Sequence, residues 1–148
     1  MTPPPLARAL GLAPHLEGGW YRRIYTSPVT LAHPAYSGTD PERALRSSAT
    51  LIHYLLGPGE ESAWHTVASD EVWLWQQGGP LLLQTSPPGP APGPLTDHHL
   101  APGPDGPFHA VVPAGHWQRA RPTTSTPVLV ACMVTPGFDF ADFTLLHD

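Results

Sequence analysis

Lysine and asparagine are absent from this chain of 148 residues, and cysteine occurs once. Without lysine there is neither a Schiff-base amine nor a P-loop cation for phosphates. Seven arginines against twelve acidic residues leave a net charge of −5. The densest cationic stretches are Arg22-Arg23 and Arg119 with Arg121. A nucleic-acid surface needs a broader basic patch to displace counterions, so no nucleic-acid partner is expected. Cys132 alone forms no intrachain disulfide and no Cys-x-x-Cys metal site, and within the apolar run 128–134 it reads as a buried, inert thiol. No stretch approaches the roughly 18 apolar residues of a spanning helix, so no membrane partner is expected. The opening Met1-Thr2-Pro3-Pro4-Pro5 lacks a basic segment followed by an apolar core, which makes the cytoplasm the expected location.

Proline and glycine are abundant, at 21 and 14 residues. Yet 41% of the chain is apolar, with five Trp, four Tyr and four Phe, and only 13% is charged. This is the composition of a packed domain with Pro-rich loops rather than of a disordered acidic chain. The length suits one domain, 1–148. Residues 1–12 read as a short helix, with Thr2 as cap, prolines in the first turn, Leu6, Ala7 and Leu10 on one side, and Gly11 as terminator. Short β-type runs follow at 20–26, 48–56, 63–67, 71–77, 81–85, 108–112, 127–134 and 143–146, a spacing that argues for an all-β sandwich or barrel. Gln77-Gly78-Gly79-Pro80 reads as a hairpin turn. Residues 86–107 read as a Pro/Gly-rich loop region, because prolines deny a ladder its donors.

The stretch from Gly59 carries the chemistry. It runs Gly59, five residues, His65, one residue, Val67, three residues, Glu71, six residues, Gly78. Side chains two apart on a strand share a face, so His65 and Val67 point into one interior. A turn through 68–70 then brings Glu71 in from the neighbouring strand, with Trp73 and Trp75 on its inward side. Pro113-Ala114-Gly115-His116-Trp117-Gln118 forms a second, turn-borne motif. The first pattern resembles the leading cupin motif with Val67 in place of its second histidine, and the second resembles the closing motif with Gln118 in place of its last. Further matches are His15-Leu16-Glu17-Gly18-Gly19-Trp20-Tyr21-Arg22, Ser62-Ala63-Trp64-His65, Asp70-Glu71-Val72-Trp73, and the run from Pro136 to Phe143. Together they resemble the small Cupin_5 family of unknown function. The resemblance implies an all-β, single-domain cupin of the RmlC-like jelly-roll β-barrel type with a short N-terminal helix.

His65 and Glu71 are the leading pair, read either as metal ligands or as an acid/base pair, against the alternative of a buried hydrogen-bonded pair that only orders strands. The resemblance implies that full cupin sites hold a divalent metal with three His and one Glu. Here His65, Glu71 and Gln118 are the tentative metal set, and Gln118 alternatively hydrogen-bonds a ligand. Glu17, Arg22, Trp73, Trp75, Gln118, Phe138 and Asp139 are ligand-binding candidates: Arg22 for a carboxylate or phosphate, the tryptophans as a stacking wall. Tyr21 and Tyr25, with Tyr54 beside them, are candidate catalytic acids. His53 reads as a core or surface histidine.

The expected function is that of a small-molecule enzyme of isomerase or epimerase type, acting on a carbohydrate-like or other small polar metabolite. His65 would take a proton alpha to a carbonyl, oriented by Glu71, with no required cofactor. The alternatives are a metal-dependent cupin oxygenase or isomerase using one divalent ion, and a non-catalytic sugar or small-ligand binding protein. A homodimer is expected, with the run 128–134 and the N-terminal segment contributing.

Overall fold

The computed structural model of the protein describes residues 2–146. Strands are numbered in chain order. Six form the larger antiparallel sheet, in the order β1 (Ala13–Pro14), β2 (Trp20–Thr26), β5 (Thr50–Leu56), β12 (Val128–Thr135), β7 (Asp70–Gly78) and β10 (His109–Val112). Five form the facing sheet, in the order β13 (Phe143–Leu145), β6 (Ser62–Val67), β11 (Trp117–Pro122), β8 (Leu81–Ser86) and β9 (Thr96–Leu100). A small outlying pair joins β3 (Thr30–Ala32) to β4 (Leu45–Ser47). From β5 onward every connection except β8–β9 passes from one sheet to the other. This winding is the jelly roll expected of the motifs.

Most of the expected runs are strands, and three readings change. Gly78-Gly79 is not a hairpin: β7 and β8 lie in different sheets, and the glycines carry the chain across. Gly78 has φ 103°, and a Cβ there would stand 1.9 Å from the Pro127 carbonyl oxygen, so only glycine fits. The region 86–107 is not all loop, since its proline-free segment forms β9 against β8. The helix α1 spans Pro5–Leu10 and is preceded by Pro4 without a side-chain cap, so Thr2 does not cap it; Gly11 ends it in the left-handed region, as expected. The run 128–134 is the centre of the larger sheet, paired on both edges by β5 and β7. Its backbone hydrogen bonds are thereby made within the sheet, and Leu129 lies under α1 with Ala7, Leu12, Trp20 and Leu55.

The inward faces of both sheets meet over Leu56, Tyr54, Val128, Val130 and Trp73 on one side and Leu81, Leu83, Leu100 and Ala120 on the other. This packing fills only one end of the roll. Along β5 the inward residues run from Leu56 and Tyr54 in the core to Ile52 and Thr50 on a cavity; along β12 they run from Val128 and Val130 to Cys132 and Val134, and along β7 from Trp73 to Glu71. The registers align these residues in rows, with Ile52 opposite Cys132 and Cys132 opposite Trp73, then Thr50 opposite Val134 and Val134 opposite Glu71. Strand periodicity therefore delivers Glu71 to the cavity in the row just beyond the packed core.

Gly78 and Gly59 separate two glycine constraints, because Gly59 has φ 79° with nothing within 4 Å of an added Cβ. Gly59→Ala should cost about 1 kcal/mol, the price of a left-handed backbone alone. Gly78→Ala should cost well over about 2 kcal/mol, since backbone must also move. Urea unfolding midpoints check this, and equal losses would contradict the sheet-crossing geometry.

Candidate functional site

The open end of the roll holds a cavity of about 240 Å³. Its walls are mainly apolar or aromatic: Ile52, Val67, Val134, Cys132, Phe138 and Phe140. His15, Glu17, His65 and Glu71 supply its buried polar groups, with Tyr21, Thr50 and Arg23 beside them. His65 and Val67 share it from β6, as their spacing requires, while Glu71 enters from the opposite sheet rather than from a paired neighbour.

Residues 15–19 form a loop folded against β6. The Ala63 N–H donates to the Glu17 carbonyl at 2.7 Å, and the Ser62 hydroxyl donates to Glu17 Oε2. Gly18 lets the loop seat there, since a Cβ on it would lie 2.1 Å from the Glu61 carbonyl oxygen. His15 accepts the Glu17 backbone N–H at Nδ1 (3.0 Å), so its proton sits on Nε2, which faces Glu17 Oε1 at 3.3 Å. His65 has the opposite tautomer. Its Nδ1–H donates to the Ala63 carbonyl at 2.7 Å, which leaves a lone pair on Nε2, 3.4 Å from Glu17 Oε2. The orienting group of His65 is thus the Ala63 carbonyl, and the carboxylate beside its free nitrogen is Glu17; the expected orienting role of Glu71 is not what the structure shows.

Burial lowers the pKa of both imidazoles, and Glu71 opposes this for His65. Both carboxyl groups are pushed up by burial. For Glu71 the charge of Glu17 adds to the effect and brings it to about 7, despite hydrogen bonds from Gln118 and Cys132 that favour the anion. Two like charges in one desolvated cavity divide their roles. Glu17, held by Ser62 and His15, keeps the charge, and Glu71 keeps the proton until near neutrality. At that pH the cavity offers an unprotonated imidazole nitrogen and a carboxylic acid.

Glu17, Tyr21, His65, Glu71 and Phe138 line the cavity. Other candidates do not. Arg22 pairs with His53 across β2 and β5 on the outer face, and its Nη1–H donates to the Leu10 carbonyl. A bulge at Ile24 shifts the register, so Tyr25 pairs with Leu51 and is 51% exposed instead of following Tyr21 and Arg23 inward. Tyr54 donates its hydroxyl to the Gly18 carbonyl at 2.6 Å, and burial pushes its pKa well up. Trp73 is core, with its indole N–H on Gln118 Oε1 at 2.8 Å. Trp75 packs on the core and on Phe108 and donates to the Gly79 carbonyl, so neither tryptophan is a stacking wall. Asp139 is exposed and accepts the Ala141 N–H as the cap of a short 3-10 turn.

Gln118 also has a different role. An indole N–H only donates, so the amide must turn its oxygen to Trp73 and its NH₂ to Glu71 Oε1, 3.0 Å away. It presents no oxygen to the cavity, and Val67 has no donor atom to offer. Among the described residues no group of three or more His, Cys, Asp or Glu is arranged to hold a metal ion. The set His65, Glu71 and Gln118 therefore does not fit a cupin metal centre.

Sequence reasoning passed over His15, Arg23 and the cavity-side position of Cys132. Strand parity was the missing signal for Arg23: it pairs with inward Ile52, whereas Arg22 pairs with outward His53. Cys132 is buried with its pKa pushed well up, so it stays a thiol, as expected. A separate histidine contact, His33 Nε2 to Ser69 Oγ at 2.8 Å, does not activate a nucleophile. His33 Nδ1 accepts the Ala35 N–H, so Nε2 bears the proton and donates it to the serine.

The family model Cupin_5, the Cupin superfamily (DUF985), matches residues 5–146, and the chain belongs to this family. A protein from Shewanella oneidensis is 32% identical, with TM-score 0.78 over 95% of this chain and 82% of that one. A hypothetical protein from Leishmania major is 26% identical, with TM-score 0.76 over 95% and 84%. Oxalate decarboxylase from Lactobacillus farciminis, solved as a formate complex, is 14% identical with TM-score 0.62 over 93% of this chain and 34% of its own, which is a likeness of fold. No curated protein matches the chain. No helix among the described residues is long and apolar enough to cross a membrane.

The raised Glu71 sets a pH dependence. Its folded pKa of about 7 lies above the ordinary 4.5, so the folded state holds the proton longer than the unfolded state does. Stability relative to a neutral side chain is unaffected below about 4.5 and is lost as pH rises to about 7. Glu71→Gln, which keeps an acceptor for Gln118, should gain on the parent by on the order of 2–3 kcal/mol between those limits. The lowered histidines add stability as pH rises toward 6.5 in both proteins, and so largely cancel in the comparison. Denaturation at pH 4.5 and 7.5 checks this, and a constant gap would contradict a protonated Glu71.

Proposed function

We propose that this cupin is a proton-transfer enzyme of isomerase or epimerase type, acting on a small carbonyl-bearing metabolite within the cavity. The observation that carries the reading is the unprotonated Nε2 of His65, fixed by the Ala63 carbonyl and facing Glu17. A proton taken from a carbon alpha to a carbonyl would give an imidazolium ion-paired with Glu17, which offsets the cost of charging a buried ring. Glu71 would donate its proton to the carbonyl oxygen as the enol forms. Reversal from the other face inverts the carbon; where that carbon bears a hydroxyl, returning the proton to the former carbonyl carbon while the hydroxyl gives its proton to the Glu71 carboxylate shifts the carbonyl. Tyr21 lines the same cavity and would supply a proton from a second side.

The apolar walls favour a substrate with a compact hydrocarbon part over a fully hydroxylated sugar. A non-catalytic small-ligand protein would use the same walls, and exchange chemistry separates the two. Incubation of the protein in D₂O with a panel of aldoses, ketoses and small oxo acids should place deuterium alpha to the carbonyl of at least one of them, read by proton NMR. His65→Gln should lower that exchange by at least 10²-fold, and Glu71→Gln by less. Undiminished exchange in His65→Gln would remove the mechanism, and binding without exchange across the panel would favour the ligand-binding alternative.

A further inference from the structure

Arg23 stands out among the cavity's residues. It is the one arginine on the lining, directed inward by its pairing with Ile52. Its Nη2–H donates to the Phe138 carbonyl at 2.9 Å, which ties the guanidinium to the aromatic rim. Among the described residues no carboxylate lies within ion-pair distance of it, whereas Arg46 is held by Asp142 through Nε and Nη2 at 2.7 and 2.9 Å. A guanidinium anchored by one N–H beside a cavity has donors left over in a planar fork, the shape that takes a carboxylate.

The opposite wall is acidic. β2 lies three strand positions from β7, with β5 and β12 between them, so the backbones of Arg23 and Glu71 are roughly 14 Å apart across the sheet. The cavity thus has a cationic wall and a wall carrying Glu71, joined by Ile52, Cys132 and Val134. The charge on Glu17 repels a second anion at the catalytic end, so an anionic ligand must lie with its charge toward Arg23 and a neutral group toward His65. A volume of about 240 Å³ suits a small organic acid.

We infer that the cavity selects a small organic monocarboxylate, with its carboxylate on Arg23, a compact apolar body along Ile52 and Val134, and its reactive carbon toward His65. This rests on the proton-transfer reading for the role of that carbon, while the binding polarity stands on Arg23 and the walls alone.

The test is calorimetric titration of tag-free protein at pH 7.5 with 3-methyl-2-oxobutanoate and 3-methylbutanoate, beside the uncharged 3-methylbutanamide. At least one carboxylate should bind about ten-fold or more tightly than the amide. Arg23→Gln should lower carboxylate affinity by about ten-fold or more and leave the amide within two-fold. Arg22→Gln, one residue along on the outer face, should change neither. Thermal unfolding of both variants should match the parent, because both side chains are exposed. Equal affinity for acid and amide, no saturable binding of either carboxylate, or an equal loss in Arg22→Gln would each overturn the inference. Binding is read without turnover. A protein that binds the acid yet exchanges no deuterium retains this inference and loses the proton-transfer reading, while exchange with uncharged substrates alone does the reverse.

Discussion

Glu17 and Glu71 are two carboxyl groups in one desolvated cavity, and their mutual repulsion organises the chemistry around them. Each would be costly as a lone buried anion. The structure separates them by the donors each receives. Glu17 has the Ser62 hydroxyl, and the imidazoles of His15 and His65 lie beside it at 3.3 and 3.4 Å. Glu71 has an amide N–H from Gln118 and the Cys132 thiol, which do not offset burial and the charge of Glu17. One group therefore holds charge and the other a proton near neutral pH. The backbone carbonyl of Ala63 completes the arrangement by fixing the His65 proton on Nδ1.

The fold provides this cavity by leaving one end of the roll unfilled. The strands that pack the core continue at the same parity into the cavity, so no separate structure is needed to position Ile52, Cys132, Val134 or Glu71. Closure at the rim comes from the chain after β12. The Arg46–Asp142 pair ties β4 to the 3-10 turn that carries Phe140, and Phe138, Phe140 and Phe143 contact one another there. Gln118 shows how a degenerate cupin position can be reused: a side chain standing where the family pattern has a histidine ligand now bridges a core tryptophan to the acid.

Much of this was legible in the sequence, because the motifs lie on strands and strands alternate. His65, Val67 and Glu71 followed from spacing, and the jelly roll followed from the motif pair. Parity also separates the cavity residues from their neighbours on β2. Arg22 is the arginine that falls within a family signature, but its neighbour Arg23 has the inward parity. Tyr25 shares that parity on paper, and the bulge at Ile24, which no local residue pattern announces, turns it out. Trp73 and Trp75 do sit on the inward side, yet whether an inward residue meets core or cavity depends on its distance from the packed end, which alternation does not encode. His15 owes its role to a loop pinned by Gly18 against β6, a tertiary contact with no periodic signature.

The most direct measurement is the ¹⁵N chemical shift pair of the His65 imidazole, recorded near pH 7.5 by long-range proton–nitrogen correlation and assigned with His65→Gln. The account predicts a neutral ring with Nδ1 protonated and Nε2 bare. A ring protonated on Nε2, or on both nitrogens at that pH, would contradict it, because His65 would then have no lone pair to offer a substrate.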